Sequence, residues 1–159
     1  MTAPNPRRAN ARLAAVQALY QLEQTGAGVD TVVLEFKAHR LGGDLDGEMI
    51  LDADDAHFET VTRGVVAGQA ALDRAIEGKL AAGWSLKRLA ATARAILRGG
   101  VYELVHCPDV PATVVVDEYV ELARAFFDAS EIGFVNAVLD AAARDARGAD
   151  ALSARAVGD

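Results

Sequence analysis

Only one cysteine, Cys107, occurs among the 159 residues of this chain. No internal disulfide framework is available to it, and such a composition suits a reducing cytoplasm. Aromatic residues are scarce at 6 %. The apolar content is mostly Ala, Leu and Val, with little Thr, Ile or Tyr, which favours helices over strands. No apolar run approaches the roughly 20 residues of a membrane span. The opening MTAPNPRR has no apolar core after its arginines to mark a secretion signal. These absences predict a soluble, cytoplasmic protein with no membrane partner. Catalytic signatures are absent as well. No glycine-rich phosphate loop follows a strand, and neither a G-x-S-x-G elbow nor an H-E-x-x-H pair occurs. The carboxylates gather in one loop or stand singly on helix faces, which gives no acid–base pair. The expectation is a binding protein, not an enzyme, with no catalytic residue, cofactor or metal.

What is present is a chain 52 % apolar, long enough for a sizeable core and read as a single domain. Its organising stretch is Leu89–Val105. There Ala93, Ile96, Leu97, Gly100, Val101 and Leu104 follow helical spacing along one side. Arg94, Arg98 and Glu103 are its only charges and lie on the other side. A helix this apolar belongs inside a protein. Gly99-Gly100 in its middle costs about 1 kcal/mol per glycine relative to alanine. Close approach of a neighbouring helix is the compensation expected.

The first helix should begin at Asn5-Pro6, since Asn caps helices and Pro suits the first helical position. It should run to about Thr25, with Leu13, Val16, Leu19 and Tyr20 inward and Gly26 and Gly28 as stops. Its opening turns carry Arg7, Arg8 and Arg12, and no acid precedes Glu23. The N-terminal end of a helix already bears partial positive charge, so cations there repel it until an anion arrives. Arg8 and Arg12, four residues apart, share a face. With a net charge of −7 the chain is no general nucleic-acid coat, but a local cationic end is compatible with it. The residues alone leave two readings open: an anion-binding end or a solvated basic end.

A second helix is expected over Asp30 to about His39, with Val33 and Phe36. The acidic, glycine-bearing stretch LGGDLDGEMILDADDAHFE, which has no Lys or Arg between Arg40 and Arg63, reads as a solvated connector. Its Asp44, Asp46 and Glu48 lack calcium-loop spacing. A third helix should start near Asp54 or Asp55 and continue through Phe58, Val61, Val65, Leu72, Ile76 and Leu80 to Gly83-Trp84, with Trp84 a core or boundary anchor. Ser85 can cap a short helix leading into the central one. His106-Cys107 lacks enough companions for zinc. Pro111 should open a helix with Val116, Tyr119, Val120, Ala123, Phe126 and Phe127 inward. Ser130 should cap a last helix with Ile132, Phe134, Val135, Val138, Leu139 and Ala142 inward, ending at Gly148. Residues 1–4 and 148–159 read as flexible tails. The sum is an all-α fold of six to seven helices.

Several blocks resemble one family. ILRGGVYEL at 96–104, DVP at 109–111, VVVDEYVELARAF at 114–126, GFVNAVLD at 133–140 and RRANARLAAVQALYQLEQ at 7–24 are similar, in order and spacing, to the NusB family of bacterial transcription antitermination factors. The resemblance implies two packed helical subdomains. It also implies pairing with the ribosomal protein NusE and binding of single-stranded boxA RNA of ribosomal operons. RNA polymerase, an indirect partner, is thereby helped through terminators. Arg7, Arg8, Arg12, Gln17 and Tyr20 fall in the arginine-bearing block, and Phe134 and Asn136 in the FVN block. The resemblance makes these seven the candidate RNA contacts. Arginines would hold phosphates, and amides or rings would meet bases. Tyr20, Phe134 and Asn136 have structural roles as alternatives.

The chain departs from the family pattern at Ala9 and Asn10, where arginines are frequent. It also departs at Asp117 for Asn, at Tyr119 for Ala, and at Gly99-Gly100 for a larger apolar residue followed by a small one. The thinned arginine motif predicts weak RNA binding alone and tighter binding with NusE. Arg94, Glu103, Glu118 and Glu121 form a candidate exposed partner face, and the family allows monomer or homodimer. The alternative is a NusB-like interaction module associated with an RNA methyltransferase or with weakened RNA binding. The stretch after Gly148 is too short for a cofactor-binding sheet, which disfavours a fused methyltransferase.

Overall fold

A computed structural model describes residues 5–41 and 52–153. Among them are seven α-helices, one short 3-10 turn and no β-strand. Asp44, Asp46 and Glu48 of the acidic connector, and the tail segments 1–4 and 154–159, lie outside the described residues. The chain divides into two compact units, residues 1–67 and 68–159.

The first unit holds α1 (Pro6–Thr25), α2 (Val29–His39) and α3 (Asp55–Ala67). Asn5 caps α1 as its side-chain oxygen accepts from the Arg8 amide at 3.1 Å, and Pro6 takes the first turn. Gly26, at φ +69°, ends the helix in the left-handed conformation that glycine adopts without strain. The buried face of α1 is lined by Ala11, Ala14, Ala15 and Ala18 beside Val16 and Leu19. Alanines let a neighbouring helix come close, and α3 packs along them with Phe58, Val61 and Val65 buried. Tyr20 falls outside this alanine-centred face and is 43 % exposed, contrary to its placement on the inward stripe. From α2, Phe36 stacks on Phe58 with ring centres 5.6 Å apart. Glu59 accepts from Lys37 Nζ at 2.9 Å and from Arg63 Nε at 2.7 Å, tying α2 to α3. The Lys37 ammonium, then the Arg63 guanidinium, holds the Glu59 carboxyl below its ordinary range.

The second unit holds α4 (Gln69–Glu77), the 3-10 turn Leu86–Arg88, α5 (Ala91–His106), α6 (Ala112–Arg124) and α7 (Ala129–Arg147). The expected third helix is therefore two. Gly68, at φ −111° and ψ 20°, leaves helical geometry between α3 and α4. The second piece stops at Gly78, well before Gly83. Trp84 is consequently not a core anchor but lies 53 % exposed.

Within this unit α5 packs against α4, α6 and α7. Ala93, Ile96, Leu97, Gly100, Val101 and Leu104 are all buried, as the periodicity predicts. The glycines have their reason in close contact. A Cβ at Gly99 would stand 2.9 Å from Tyr119 Cε1, and one at Gly100 would stand 2.8 Å from Leu139 Cδ2. The Tyr119 hydroxyl donates to Glu103 Oε2 at 2.6 Å, with both residues fully buried. Glu103 is thus not part of an exposed partner face. Neither is Arg94, which is half-buried and donates to the carbonyls of Leu86 and Leu89.

Arg98 grips Asp73 on α4 through two bonds, of 2.8 and 3.0 Å. Arg147 closes the C-terminal end of α5, donating to the carbonyls of Leu104 (2.9 Å), Glu103 (3.1 Å), Cys107 (2.9 Å) and Val110. These include carbonyls that a helix end leaves without partners. Phe126 is 45 % exposed because α6 ends at Arg124, which takes residues 126 and 127 out of helical phase. Asp128, not Ser130, caps α7: it accepts from the Ser130 amide at 3.1 Å while Glu131 accepts from the Asp128 amide at 3.1 Å. Asp128 has Glu131 three residues on to complete the reciprocal capping box, whereas Ser130 has Gly133 there, which carries no side-chain acceptor. Pro111 is the cap residue of α6 rather than its first residue. Leu152 is 6 % exposed, so the segment just after Gly148 is packed rather than frayed.

Alanine at Gly99 should lower stability by about 1–3 kcal/mol, because the ring it meets is pinned by its hydroxyl. The loss should appear despite the gain of about 1 kcal/mol in helix propensity. Alanine at Gly100 meets a leucine methyl and should cost less. Urea unfolding of both variants measures this, and a Gly99→Ala protein as stable as the parent would contradict it.

Candidate nucleic-acid interface

In the first unit the candidate residues lie along α1. No acid stands in its first turn. The anion that the arginines call for is supplied within the unit by residues 52–54. Arg7 Nε donates to Asp52 Oδ1 at 3.2 Å, and its terminal nitrogen to the Ala53 carbonyl at 3.0 Å. Arg8 Nε lies 3.5 Å from Asp54 Oδ2. One backbone and one side-chain bond fix this strap: Asp54 N–H donates to the Arg7 carbonyl at 3.0 Å, and Asn10 Nδ2 donates to the Asp52 carbonyl at 3.0 Å. Ala53 is fully buried, so this end of the acidic stretch is not a solvated connector.

Asp54 also accepts from the His57 amide at 3.0 Å at the start of α3. That bond, aided by Arg8, holds its carboxyl below the ordinary value. One carboxylate thus meets the positive start of α3 and a guanidinium carried by α1. The arginine side chains stay partly open, 59 % exposed for Arg7 and 33 % for Arg8. Arg12 differs: at 2 % exposure it offers no surface to a phosphate. Gln17 and Tyr20 are exposed further along α1.

In the second unit Phe134 and Asn136 are both half-exposed, so Phe134 is not the inward residue that its stripe suggests. They line different hollows. Phe134 borders one of about 430 Å³ with Trp84, Arg88 and Phe127. Asn136 borders another of about 490 Å³ with Asp117, Arg124 and Phe127. The Trp84 and Phe134 ring centres are 6.3 Å apart.

Sequence reasoning missed Asp52 and Asp54 as partners of the arginines, and Trp84 and Arg88 as surface residues. The first was detectable in principle, since unopposed arginines on a helix end need an anion and an acidic stretch was available. The second had a weaker sign, the run GWSLKRLA with two cations and no acid. Among the described residues no group of three or more His, Cys, Asp or Glu is arranged to hold a metal ion. No described helix is long and apolar enough to cross a membrane.

Comparison with known proteins gives a consistent result. The NusB family model matches residues 9–144. The transcription antitermination protein NusB of Caulobacter vibrioides is 56 % identical over 140 residues, spanning 88 % of this chain and 94 % of that protein. Among solved structures, T. maritima NusB matches with a TM-score of 0.74 at 27 % identity, covering 96 % of this chain and 99 % of that one. A structure of antitermination factors NusB and NusE in complex with dsRNA matches with a TM-score of 0.67 at 25 % identity, covering 86 % of this chain and 96 % of that one.

The strap should carry a pH signature. A carboxyl whose folded pKa lies below its unfolded value stabilises fully above the ordinary value of 3.8, and that contribution disappears as pH falls through the lowered folded value. Chemical unfolding should therefore show the wild type losing part of its advantage over Asp54→Asn as pH drops through this acid window. A difference independent of pH would contradict the assignment.

Proposed function

The chain belongs to the NusB family, and we propose that it is an RNA-binding transcription antitermination factor that pairs with NusE. In this reading the pair binds boxA RNA of ribosomal operons in the cytoplasm and promotes read-through by RNA polymerase. Family membership supports the antitermination role, and the related structure of NusB and NusE with dsRNA supports both partners.

The observation that carries RNA binding is the arginine end of α1. Its ion pairs are open to water: Arg7 and Asp52 are 59 % and 80 % exposed, and Arg8 and Asp54 are 33 % and 27 % exposed. Pairs of this kind contribute about 0–1 kcal/mol. A phosphate can replace the carboxylates at small cost and satisfy the helix end as well. Asp52 and Asp54 then occupy, in the free protein, the place of RNA phosphates in the complex. Arg7 and Arg8 are the phosphate contacts. Gln17, Tyr20, Phe134 and Asn136 are the candidates for base contacts. Arg12 lies too deep for direct contact, so it leaves the contact surface.

With few arginines and internal competition for them, RNA affinity of the chain alone is low, and NusE supplies the rest. This is also where the alternative of weakened RNA binding finds its physical basis. The choice between single-stranded boxA and duplex is made by the test. Fluorescence anisotropy with labelled boxA RNA, single-stranded and annealed, should show preferred binding to the single strand and tighter binding once NusE is added. Equal affinity with and without NusE would count against the pairing.

Arg7→Glu with Arg8→Glu should weaken binding about tenfold or more and lower the salt slope by roughly 0.7 per lost phosphate contact. Asp52→Asn should strengthen it, up to about fivefold. Glu35→Gln, an equal charge change at an exposed position of α2, should do less. Unchanged binding in the double arginine variant would overturn this use of α1.

A further inference from the structure

The hollow beside Phe134 contains features that neither the family resemblance nor the α1 interface uses. Trp84 is the only tryptophan of the chain and is 53 % exposed, an unusual position for so large an apolar ring. It follows Gly83, whose φ of +89° turns the backbone sharply there. Its indole is held from two directions. Phe134 tilts against it at 43° with ring centres 6.3 Å apart. The Arg88 guanidinium lies over it at 5.8 Å from the ring centre while donating to the Gly83 carbonyl at 2.6 Å. The side chain is thus exposed yet flanked by two neighbours, which limits the entropy left to lose on binding. The hollow that Trp84 and Phe134 border, about 430 Å³, suits a planar ring in size.

Charge selects the occupant. Lys87 and Arg88 are both exposed, and no acid occurs from Gly83 to Ala90. In a chain of net charge −7 this is a local cationic edge on an aromatic platform. Aromatic rings beside lysine and arginine are what a flexible single strand needs, because every base has a face to stack and every nucleotide a phosphate to neutralise. Glu131 on the same rim favours a neutral base in the hollow, with the phosphate at the Lys87–Arg88 edge. An acidic peptide would match the cations but leave the rings without a stacking partner.

We propose that Trp84 and Arg88 form an RNA contact of their own: one unpaired base stacks on the indole beside Phe134, and its phosphate sits at Lys87 and Arg88. The proposal rests on the RNA-binding reading above and adds to it a stacking residue and a phosphate contact in the second unit.

Because the chain has a single tryptophan, its fluorescence reports on this site directly. The full-length protein is titrated with end-labelled single-stranded boxA RNA, following label anisotropy and tryptophan emission together. Emission should be quenched with the same midpoint as the anisotropy change. Trp84→Ala should bind about five- to a hundredfold more weakly with an unchanged salt slope, and Trp84→Phe should restore most of the affinity. Arg88→Gln should lower the salt slope by about 0.7.

Anisotropy that rises with emission unchanged, together with full affinity in Trp84→Ala, would overturn this proposal and leave the RNA reading intact. No anisotropy change in the parent, with or without NusE, would overturn both. A blue shift on adding NusE alone, with no further change when RNA follows, would make the platform a protein contact and overturn the proposal.

Discussion

The second unit depends on one buried contact, that of Tyr119 with the surface of α5. The ring occupies the space that a side chain at Gly99 would fill, Leu139 of α7 occupies the space at Gly100, and the Tyr119 hydroxyl donates to Glu103 at 2.6 Å. Two glycines in a core helix are costly on their own, and so is a carboxylate without access to water. Tyr119 answers two of these costs: Gly99 makes room for its ring, and the ring brings a donor to Glu103.

The first unit is governed by a different constraint, the electrostatics of a helix that begins with arginines. Asp52 and Asp54 settle it internally, yet only with exposed, easily exchanged pairs. In the RNA-binding role proposed above, such an arrangement would be useful. The free state is not left with unopposed cations, and the bound state would be reached by exchanging one set of anions for another. Overall negative charge would assist that role by confining phosphate binding to places where cations are held close together.

Much of the fold was legible because periodicity survives packing. The central helix was readable from Ala93 to Leu104, and the first helix from Asn5 to Gly26, since spacing and caps are local properties. Errors arose where two local preferences competed. Gly68 broke a stripe that ran unbroken through it, and Asp128 took the cap from Ser130 because Glu131 completes a capping box. Of the candidate site, the arginine end was legible as an electrostatic problem. Which residues answer it was not, since Arg7 and Asp52 are 45 positions apart.

Sequence by itself determined that this chain is helical, where most of its helices begin, and that one helix end needs an anion. These follow from interactions within a few residues of one another. Tertiary structure alone decided the depth of each side chain. It buried Glu103 and Arg12, both charged, and left Trp84 and Tyr20 on the surface. Depth depends on which distant helix covers a position, and helical spacing names a face without saying what lies opposite it.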